Sequence, residues 1–308
     1  MAETTEIASC DATWSPWEGC QKVGPGCDHC YAEARNKRFA AGANWGPGAP
    51  RRRTVDWSKP RLWNRAAGQA GRRMKVFPSL CDPFDNAVPV EWRLAFFQLI
   101  AATPHLDWLL LTKRIGNVAG MLGDWKTVPL LPNIWLGITV VNQAEADRDI
   151  PKLLAVPARV RFLSVEPMLG PIDLSRWLVP CDQGSRPGPG GVGGVTCADC
   201  HGVGHRCQAL AWVIVGGESG PHARPMHPDW ARGLRDQCAA AGVPFLFKQW
   251  GEWSPGYAEH GNDLGYETIV QADQQEWPEG HCAFKVGKRA AGRLLDGRTH
   301  DLSPEVHP

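Results

Sequence analysis

The sequence lacks any apolar run that approaches the roughly 20 residues of a membrane-spanning helix. Its first ten residues are polar and acidic, and they lack the basic start and the apolar stretch of a secretory signal peptide. A strong excess of either charge is also missing, since the net charge of the 308 residues is +1. With 43% hydrophobic and 21% charged residues, the composition is typical of a globular protein and excludes a disordered or fibrous one. We therefore expect a cytoplasmic protein without a membrane partner.

Cysteine, in contrast, is abundant, with eleven residues. In a chain of this length without a secretion signal, cysteines more often bind metals or act as reactive thiols than form disulfides. Seven of the eleven fall into two clusters, at 20–30 and 181–207, and this distribution indicates metal ligands. We expect three of the scattered cysteines, Cys10, Cys238 and Cys282, to be small buried side chains.

Short, nearly continuous apolar runs alternate with helical patterns along the chain. Such runs are typical of strands buried on both faces of a parallel sheet. The predicted strands are Ala12–Trp17, Lys75–Leu80, Asp107–Thr112, Ile134–Val140, Val160–Val165, Ala211–Gly216 and Pro244–Phe247. The predicted helices are Glu91–Thr103, Gln143–Leu154 and Asp229–Ala241. This alternation predicts an α/β fold, either a partial or complete (βα) barrel or an open doubly wound sheet.

Polar residues follow the ends of most of these strands. They are Asp82, Lys113, Thr139, Glu166, Glu218 and Lys248. A barrel mouth needs functional groups at the carboxyl ends of many strands, whereas an open sheet concentrates them at one switch point, so we favour a barrel over residues 1–250. The Cys-rich segment 180–208 is predicted to be a loop insertion between two strands. Residues 251–308 are predicted to be a C-terminal extension that folds back over the barrel, with a weak strand at Glu267–Val270 and a short helix at Lys285–Leu295.

Cys20, Cys27 and Cys30 lie directly after the first predicted strand, in a glycine-bearing loop. Three thiolates at this spacing can converge on one face of a [4Fe–4S] cubane, around which glycines let the backbone bend closely. One iron then stays open and can bind S-adenosylmethionine for radical chemistry. The alternative is a structural zinc site completed by His29 or Cys10, although zinc sites usually pair two separated Cys-x2-Cys hairpins.

The segment from Gly19 to Glu33 resembles the phage-associated three-cysteine family that is related to radical S-adenosylmethionine enzymes. Further matching motifs are Val165-Glu166-Pro167-Met168, the glycine-rich 216–220, the Lys- and Trp-bearing 247–251 and the basic 286–297. The resemblance covers nearly the whole chain and implies a partial barrel of the radical S-adenosylmethionine type, with the cluster at its mouth. It also implies that His29, the residue before the third cysteine, packs near the adenine. One difference is that six residues separate Cys20 from Cys27, where standard radical enzymes have three.

The strand ends supply the other candidate groups. Asp82, Thr139 and Glu166 are candidates for binding the cofactor, through its ribose hydroxyls or its ammonium group. Glu218 and Lys248 are candidates for acid–base catalysis or phosphate binding at the substrate. Lys113 is an alternative phosphate ligand, as is its neighbour Arg114. For the carboxylates the alternative role is a structural salt bridge, and for Lys113 it is a place on a solvated loop.

The second cysteine cluster comprises Cys181, Cys197, Cys200 and Cys207. Four thiolates that close a glycine-rich loop suit a tetrahedral structural zinc, which would also stabilise a loop that has almost no apolar core. The alternative is an auxiliary iron–sulfur cluster. We favour zinc because the loop is small and polar.

One segment concentrates positive charge. Between Arg35 and Lys75 there are twelve lysines and arginines and a single acid, Asp56. Three tryptophans in the same segment, at positions 45, 57 and 63, can stack on bases or pack in a core. Such a segment is typical of an arm that binds nucleic acid or phosphate, and the alternative is a solvated loop whose charge is balanced by acids elsewhere in the fold.

The sequence leaves three functions open. The leading one is a radical S-adenosylmethionine enzyme that uses a [4Fe–4S] cluster and an external electron donor to modify a phosphate-bearing substrate, such as a nucleotide, a nucleoside or a nucleic-acid base. The second is a zinc-dependent nucleic-acid-binding protein without catalysis. The third is an iron–sulfur enzyme of small-molecule biosynthesis.

Overall fold

A computed structural model of the chain describes residues 5, 7–122, 131–179, 185–187, 194–196, 209–257 and 273–305. Its strands are β1 (Ala12–Thr13), β2 (Trp17–Glu18), β3 (Arg52–Arg53), β4 (Met74–Phe77), β5 (Leu106–Thr112), β6 (Ile134–Thr139), β7 (Val160–Val165), β8 (Ser185–Pro187), β9 (Gly194–Thr196), β10 (Trp212–Gly216), β11 (Phe245–Gln249), β12 (Trp253–Tyr257), β13 (Gln274–Glu276) and β14 (His281–Lys285). Its α-helices are α1 (Tyr31–Ala40), α2 (Ser58–Gln69), α3 (Val90–Ala101), α4 (Ile115–Leu122), α5 (Gln143–Leu154), α6 (Ser175–Leu178), α7 (Pro228–Ala241) and α8 (Lys288–Ala291). A short 3-10 helix spans Pro25–Cys27.

Seven strands form one parallel sheet in the order β1-β4-β5-β6-β7-β10-β11. Each of these strands pairs with the next parallel strand along the chain, and the sheet curls into a half-barrel whose edges are β1 and β11. The prediction of a partial barrel is therefore confirmed at the level of the architecture, and the described strands do not close into a complete barrel. Each of the seven predicted strands overlaps a strand of this sheet, but the first is shorter than predicted, because of Ala12–Trp17 only Ala12–Thr13 joins it and Trp17 begins β2, which pairs with β3.

The two faces of the sheet bury different side chains. The outer face packs against the helices, through strand residues such as Trp108 and Leu136 that alternate with inward-facing ones. The inner face carries Trp135, Phe162 and Trp212, all near the amino ends of their strands. Because these rings fill the lower part of the half-barrel, the accessible space lies at the carboxyl ends of the strands.

The C-terminal part of the chain forms a second, antiparallel sheet in the order β12-β14-β13. The chain then returns to the half-barrel and contacts three of its strands in turn. The Phe247 N–H on β11 donates to the His300 carbonyl, the Trp212 indole on β10 donates to the Leu302 carbonyl at 2.8 Å, and the Lys75 ammonium on β4 lies 2.8 Å from the Ser303 hydroxyl. The extension therefore folds back along the β11 edge, as the sequence predicts.

Two predicted features of the C-terminal part have different outcomes. The predicted helix at Lys285–Leu295 is shorter than expected, because α8 ends before Gly292, which adopts a φ of 68°. The predicted strand at Glu267–Val270 lies outside the described residues.

The Cys-rich segment interrupts the sheet between two neighbouring strands, because β7 and β10 pair directly. Its described part is a short antiparallel pair, β8 with β9. The four cysteines of the second cluster lie outside the described residues. Among the described helices, none has the length and apolar character that crossing a membrane requires.

Candidate metal centre at the carboxyl edge of the sheet

Three cysteines from one loop line a single cavity of about 120 Å³ at the carboxyl edge of the sheet. Cys20 lies just beyond β2, and its backbone forms an isolated β-bridge with that of Trp45. Cys27 ends the 3-10 helix, and Cys30 is the residue before α1. The ends of β4, β5 and β6 form the opposite wall. The fold thus brings the three predicted ligands together at the mouth of the half-barrel.

The Cys20 thiol has a cation beside it. Burial raises the pKa of this thiol to about 11, and the Arg114 guanidinium, whose Nη1 lies 3.4 Å from the sulfur, acts in the opposite direction. Arg114 is itself held by Asp82 at 2.8 Å. A metal ligand must be a thiolate, so the arginine favours the form of Cys20 that binds metal.

Cys30 occupies the N-cap position of α1, and its side chain makes no capping hydrogen bond. The first N–H groups of a helix have no partner within the helix, and they carry the positive end of its dipole. A metal group held by three thiolates is anionic at its edge. The start of α1 therefore supplies an electrostatic complement to such a group.

Asp82 is fully engaged with protein groups. Its carboxylate accepts hydrogen bonds from the Thr112 hydroxyl at 2.7 Å, from the Lys113 N–H at 3.1 Å and from Arg114. This arrangement fixes the turn after β5 against the turn after β4. The structure therefore gives Asp82 a positioning role beneath Cys20 and leaves it little capacity for a cofactor hydroxyl.

Thr139 presents the opposite situation. It lines the same cavity, it is 5% exposed, and its hydroxyl oxygen is buried without a hydrogen-bond partner in the described part of the chain. Buried hydroxyl groups in proteins nearly always have a partner. The Thr139 hydroxyl is thus available for a hydrogen bond with a water molecule or a ligand atom in the cavity.

Glu166 and Lys248 form an ion pair at the end of β7, with 2.8 Å between the ammonium and the carboxylate. Gln249 donates to the other oxygen of Glu166 at 3.1 Å and to the Ser219 hydroxyl at 3.0 Å. Each of the paired groups is about one-fifth exposed. The structure brings these two predicted residues together and adds Gln249, which the sequence gives no reason to select.

Glu218 is the centre of a network that holds the cysteine loop to the end of β10. Arg224 donates to both of its carboxylate oxygens, at 2.8 and 2.6 Å, and also contacts the Pro25 carbonyl and the carboxylate of Asp28 in the loop. The Nδ1 atom of His29 lies 3.0 Å from the same carboxylate. Burial alone would raise the pKa of Glu218, but the hydrogen bonds from Arg224 and His29 outweigh it and lower the pKa.

This network gives Glu218 and His29 positioning roles. The carboxylate has no oxygen left for acid–base work while Arg224 and His29 hold it, and His29 is turned toward Glu218. Sequence reasoning missed Arg224, because its link to the cysteine loop joins it to Pro25 and Asp28, almost 200 positions away.

Two glycines allow the loops after β10 and β11 to pack backbone against backbone. A Cβ atom on Gly217 would lie 1.9 Å from the Trp250 carbonyl oxygen, and one on Gly251 would lie 2.0 Å from the Glu218 carbonyl oxygen. Gly251 also has a φ of 83°, which L side chains rarely adopt. The position of Glu218 therefore depends on the absence of a side chain at both sites.

Lys113 lies at the rim of the cavity, with its side chain close to Gly26 in the cysteine loop. Within the described ranges its ammonium group has no acidic partner, whereas most neighbouring cations are paired. A free ammonium at the cavity rim is suited to an anionic group of a ligand.

The basic segment is partly neutralised within the fold. Arg51 pairs with Asp85 at 2.7 Å in a fully buried contact, and Arg73 pairs with Asp107. Glu18 accepts from both Arg35 and Arg52, which flank it on the surface. These contacts pair four of the twelve cations with three acids, so part of the predicted charge excess is used within the fold, and exposed positive charge remains on α1 and α2.

The remaining described cysteines are partly or fully buried. Cys81 borders the cavity wall, and Cys10, Cys238 and Cys282 lie among apolar side chains. Burial raises the pKa of both Cys10 and Cys238 to about 12. These thiols stay protonated near neutral pH, which agrees with the expected packing role of Cys10 and Cys238.

A group of three potential ligands that the sequence did not indicate lies away from the cavity. His227, Asp229 and His281 place one ligand atom each within 4.8 Å of one another. These atoms already bond to protein groups: His227 accepts the Asp229 N–H, Asp229 pairs with Arg232, and His281 lies 3.2 Å from Asp229. We therefore assign these three residues a structural role at the junction between α7 and β14.

The three cysteines differ from that group in their spacing. Among the described residues, they do not form a group whose ligand atoms all lie within 4.8 Å of one another, and they line a cavity instead.

Comparison with known proteins gives one match. A family model described as "Protein of unknown function (DUF5131)" matches residues 4–304. No curated protein matches the chain, and no solved structure does.

Proposed function

We propose that this chain, which belongs to the DUF5131 family of proteins of unknown function, is a radical S-adenosylmethionine enzyme that carries a [4Fe–4S] cluster. The observation that supports this proposal most is the position of Cys20, Cys27 and Cys30. All three line one cavity at the mouth of a half-barrel. The fourth cysteine of that lining, Cys81, donates its thiol to the Pro78 carbonyl, and burial raises its pKa well above the ordinary value, so three thiolates are left for the cluster.

Three thiolates would hold three of the four irons and leave one open to the amino and carboxylate groups of S-adenosylmethionine. When bound and reduced, this pair of cofactors supplies a carbon-centred radical that removes a hydrogen atom from the substrate. The protein's own residues bind and orient these groups.

The described residues divide this work between them. Arg114 favours the thiolate of Cys20, and the start of α1 complements the negative charge of the cluster. Thr139 offers a buried hydroxyl to a cofactor atom, and the pair of Glu166 and Lys248 offers a carboxylate and an ammonium on the same wall of the half-barrel. Glu218 and Arg224 hold the cysteine loop in place.

The substrate that we propose carries phosphate, as a nucleotide, a nucleoside derivative or a nucleic-acid base in its strand. The free ammonium of Lys113 at the cavity rim supports an anionic ligand group there. Several cations of the basic segment are paired with acids of the fold. The segment therefore supports a long polyanionic substrate less than its charge count suggests. For the second cluster, Cys181, Cys197, Cys200 and Cys207, we propose a structural zinc.

The test is anaerobic reconstitution with iron and sulfide, followed by incubation with reductant and S-adenosylmethionine. We expect about four irons per chain at the first cluster and the release of 5′-deoxyadenosine. Replacement of Cys20, Cys27 and Cys30 by Ala removes both the iron and the product. Cys238→Ala, which changes a buried cysteine in α7, is the matched control and keeps both.

The alternatives predict other results. A colourless protein that contains zinc and no iron would support a nucleic-acid-binding protein instead. Iron without any cleavage of S-adenosylmethionine would support an iron–sulfur enzyme of another kind. Retention of four irons in the triple variant would contradict the assignment of the cysteines.

A further inference from the structure

One side of α1 is exposed although it carries two aromatic rings. Ala32 and Asn36 are buried, and the exposed side of the helix next to them presents Tyr31, Arg35, Arg38 and Phe39, which we call the α1 strip. Tyr31 is 52% exposed and Phe39 is 68% exposed. The two rings lie eight residues apart, about 12 Å along one side of the helix, with the two arginines between them.

The strip carries positive charge around its apolar end. The guanidinium carbons of Arg35 and Arg38 lie 5.4 and 5.1 Å from the centre of the Phe39 ring. Arg38 has no acidic partner in the described part of the chain. Arg35 shares the carboxylate of Glu18 with Arg52, so these two arginines have one negative charge between them.

The strip begins at the candidate metal centre. Tyr31 directly follows Cys30, lines the cavity, and donates a 2.7 Å hydrogen bond from its phenol to the Ser79 carbonyl. Phe39 lies nine residues beyond Cys30, which places it about 13 Å along the helix axis at a rise of 1.5 Å per residue. A protein seated on the strip would therefore approach the cysteine loop closely.

We propose that the α1 strip is the docking surface for a small acidic protein that delivers electrons one at a time to the metal centre. The inference rests on the proposed function, because a cluster of this kind needs one electron for each round of chemistry. In the transfer, the partner loses one electron and the cluster core gains it, and no bond forms or breaks. The shortness of the path matters because electron tunnelling weakens exponentially with distance.

The composition and size of the strip fit such a partner. Arginine and aromatic residues are enriched among the side chains that carry most of the binding energy in interfaces. Transient redox encounters bury less than about 1,200 Å² in total, which one helix and its surroundings can supply. Unbalanced positive charge attracts an acidic partner over long range and speeds the encounter. A single-stranded nucleic acid would instead be expected in a groove that follows its backbone, whereas this surface is the convex side of a helix.

The experiment compares two double variants of the full chain. Arg38→Glu with Phe39→Ala changes the strip. Arg65→Glu with Leu62→Ala makes the same kinds of change on α2, within the same basic segment, where Leu62 is 55% exposed. The probe is a small acidic flavoprotein, measured first for its affinity to the metal-free chain and then, as the hydroquinone, for its rate of reducing the reconstituted chain.

We expect the strip variant to lose about tenfold or more in affinity and in reduction rate at low salt, and the α2 variant to stay within about twofold of the unchanged chain. Reduction by dithionite stays the same in all three proteins, because a small reductant needs no docking surface. Equal affinities in the two variants would overturn the inference. So would loss of single-stranded DNA binding in the strip variant with flavoprotein binding intact. If dithionite reduces no cluster in any protein, the proposed function fails, while the affinities of the metal-free chains still decide whether the strip binds an acidic protein.

Discussion

At the scale of single residues, the contacts of Glu218 explain how the cysteine loop is held. The loop contains little apolar surface, so charged hydrogen bonds from Arg224 and His29 take the place of packing. Hydrogen bonds to charged groups contribute more than neutral ones, typically about 1.5–3 kcal/mol each in net terms. A buried carboxylate with this many donors is therefore a main contributor to the local stability of the site.

The lowered pKa of Glu218 predicts how this contribution depends on pH. A carboxyl whose pKa is lower in the folded state stabilises the fold above its unfolded pKa, near 4.5, and the stabilisation is lost as the pH falls through the folded value. We expect Glu218→Gln to lower the free energy of unfolding by about 2 kcal/mol at pH 7. The difference from the unchanged chain shrinks as the pH is lowered below 4.5.

Urea unfolding at pH 7 and at pH 4 measures this difference. Glu279→Gln, which changes an exposed carboxylate in the turn before β14, is the control and should stay within about 0.5 kcal/mol at both pH values. A loss in Glu218→Gln that is equally large at both pH values would show that the carboxylate charge is not its cause.

At the scale of elements, the backbone contact between the loops after β10 and β11 predicts a strong effect of one methyl group. Gly251→Ala forces a Cβ into the Glu218 carbonyl at an unfavourable φ, and we expect it to cost at least about 2 kcal/mol of stability. The loop after β10, which the added methyl group would displace, carries Glu218. The iron content after reconstitution should therefore fall as well.

Gly233→Ala is the matched control for this substitution. Gly233 lies within α7, and no atom lies within 4 Å of an added Cβ, so alanine should stabilise the helix by about 0.5–1 kcal/mol. Thermal unfolding measures the stability of both variants, and iron analysis measures their iron content after reconstitution. Normal stability in Gly251→Ala would mean that the two loops can separate without cost.

The elements also show what the sequence could and could not predict. The seven parallel strands were predictable because burial on both faces requires continuous apolar runs, and α5 has the predicted bounds Gln143–Leu154. Helices α1 and α2 were missed because each buries only a few side chains and is otherwise polar. The antiparallel sheet of the C-terminal part was missed because its strands are short and mostly polar.

The same limit applies to the candidate site. The three cysteines could be selected because their spacing within one loop is itself the signal. The roles of Arg114, Arg224 and Gln249 depend on partners that are distant in sequence, so no local pattern identifies them. Equally, the sequence could not show that Arg51 and Arg73 are neutralised by Asp85 and Asp107.

At the scale of the whole molecule, the contacts of residues 300–303 with β11, β10 and β4 predict the effect of a truncation. Removal of residues 299–308 breaks three hydrogen bonds to strands of the half-barrel, at Phe247, Trp212 and Lys75, and an exposed ion pair between Arg293 and Asp301. It also uncovers the β11 edge. We expect a loss of about 3 kcal/mol, at about 1 kcal/mol for each bond. The exposed edge strand should also promote self-association.

Thermal unfolding and light scattering after size-exclusion chromatography test both effects. Leu302→Ala is the control, because the Leu302 side chain is 66% exposed and only its carbonyl accepts the bond from Trp212. A truncated chain that stays monomeric with unchanged stability would show that the edge needs no cover.

The late position of these residues in the chain has a consequence for how the protein matures in a cell. On the ribosome, the cysteine loop at 20–30 emerges early, whereas the residues that link β11, β10 and β4 are added after every strand that they contact. The β11 edge therefore stays uncovered while synthesis is still under way at β11. Until residues 300–303 have left the ribosome and docked, that edge can pair with a strand of another chain, so the rate of chain release sets how long each new molecule is exposed to aggregation.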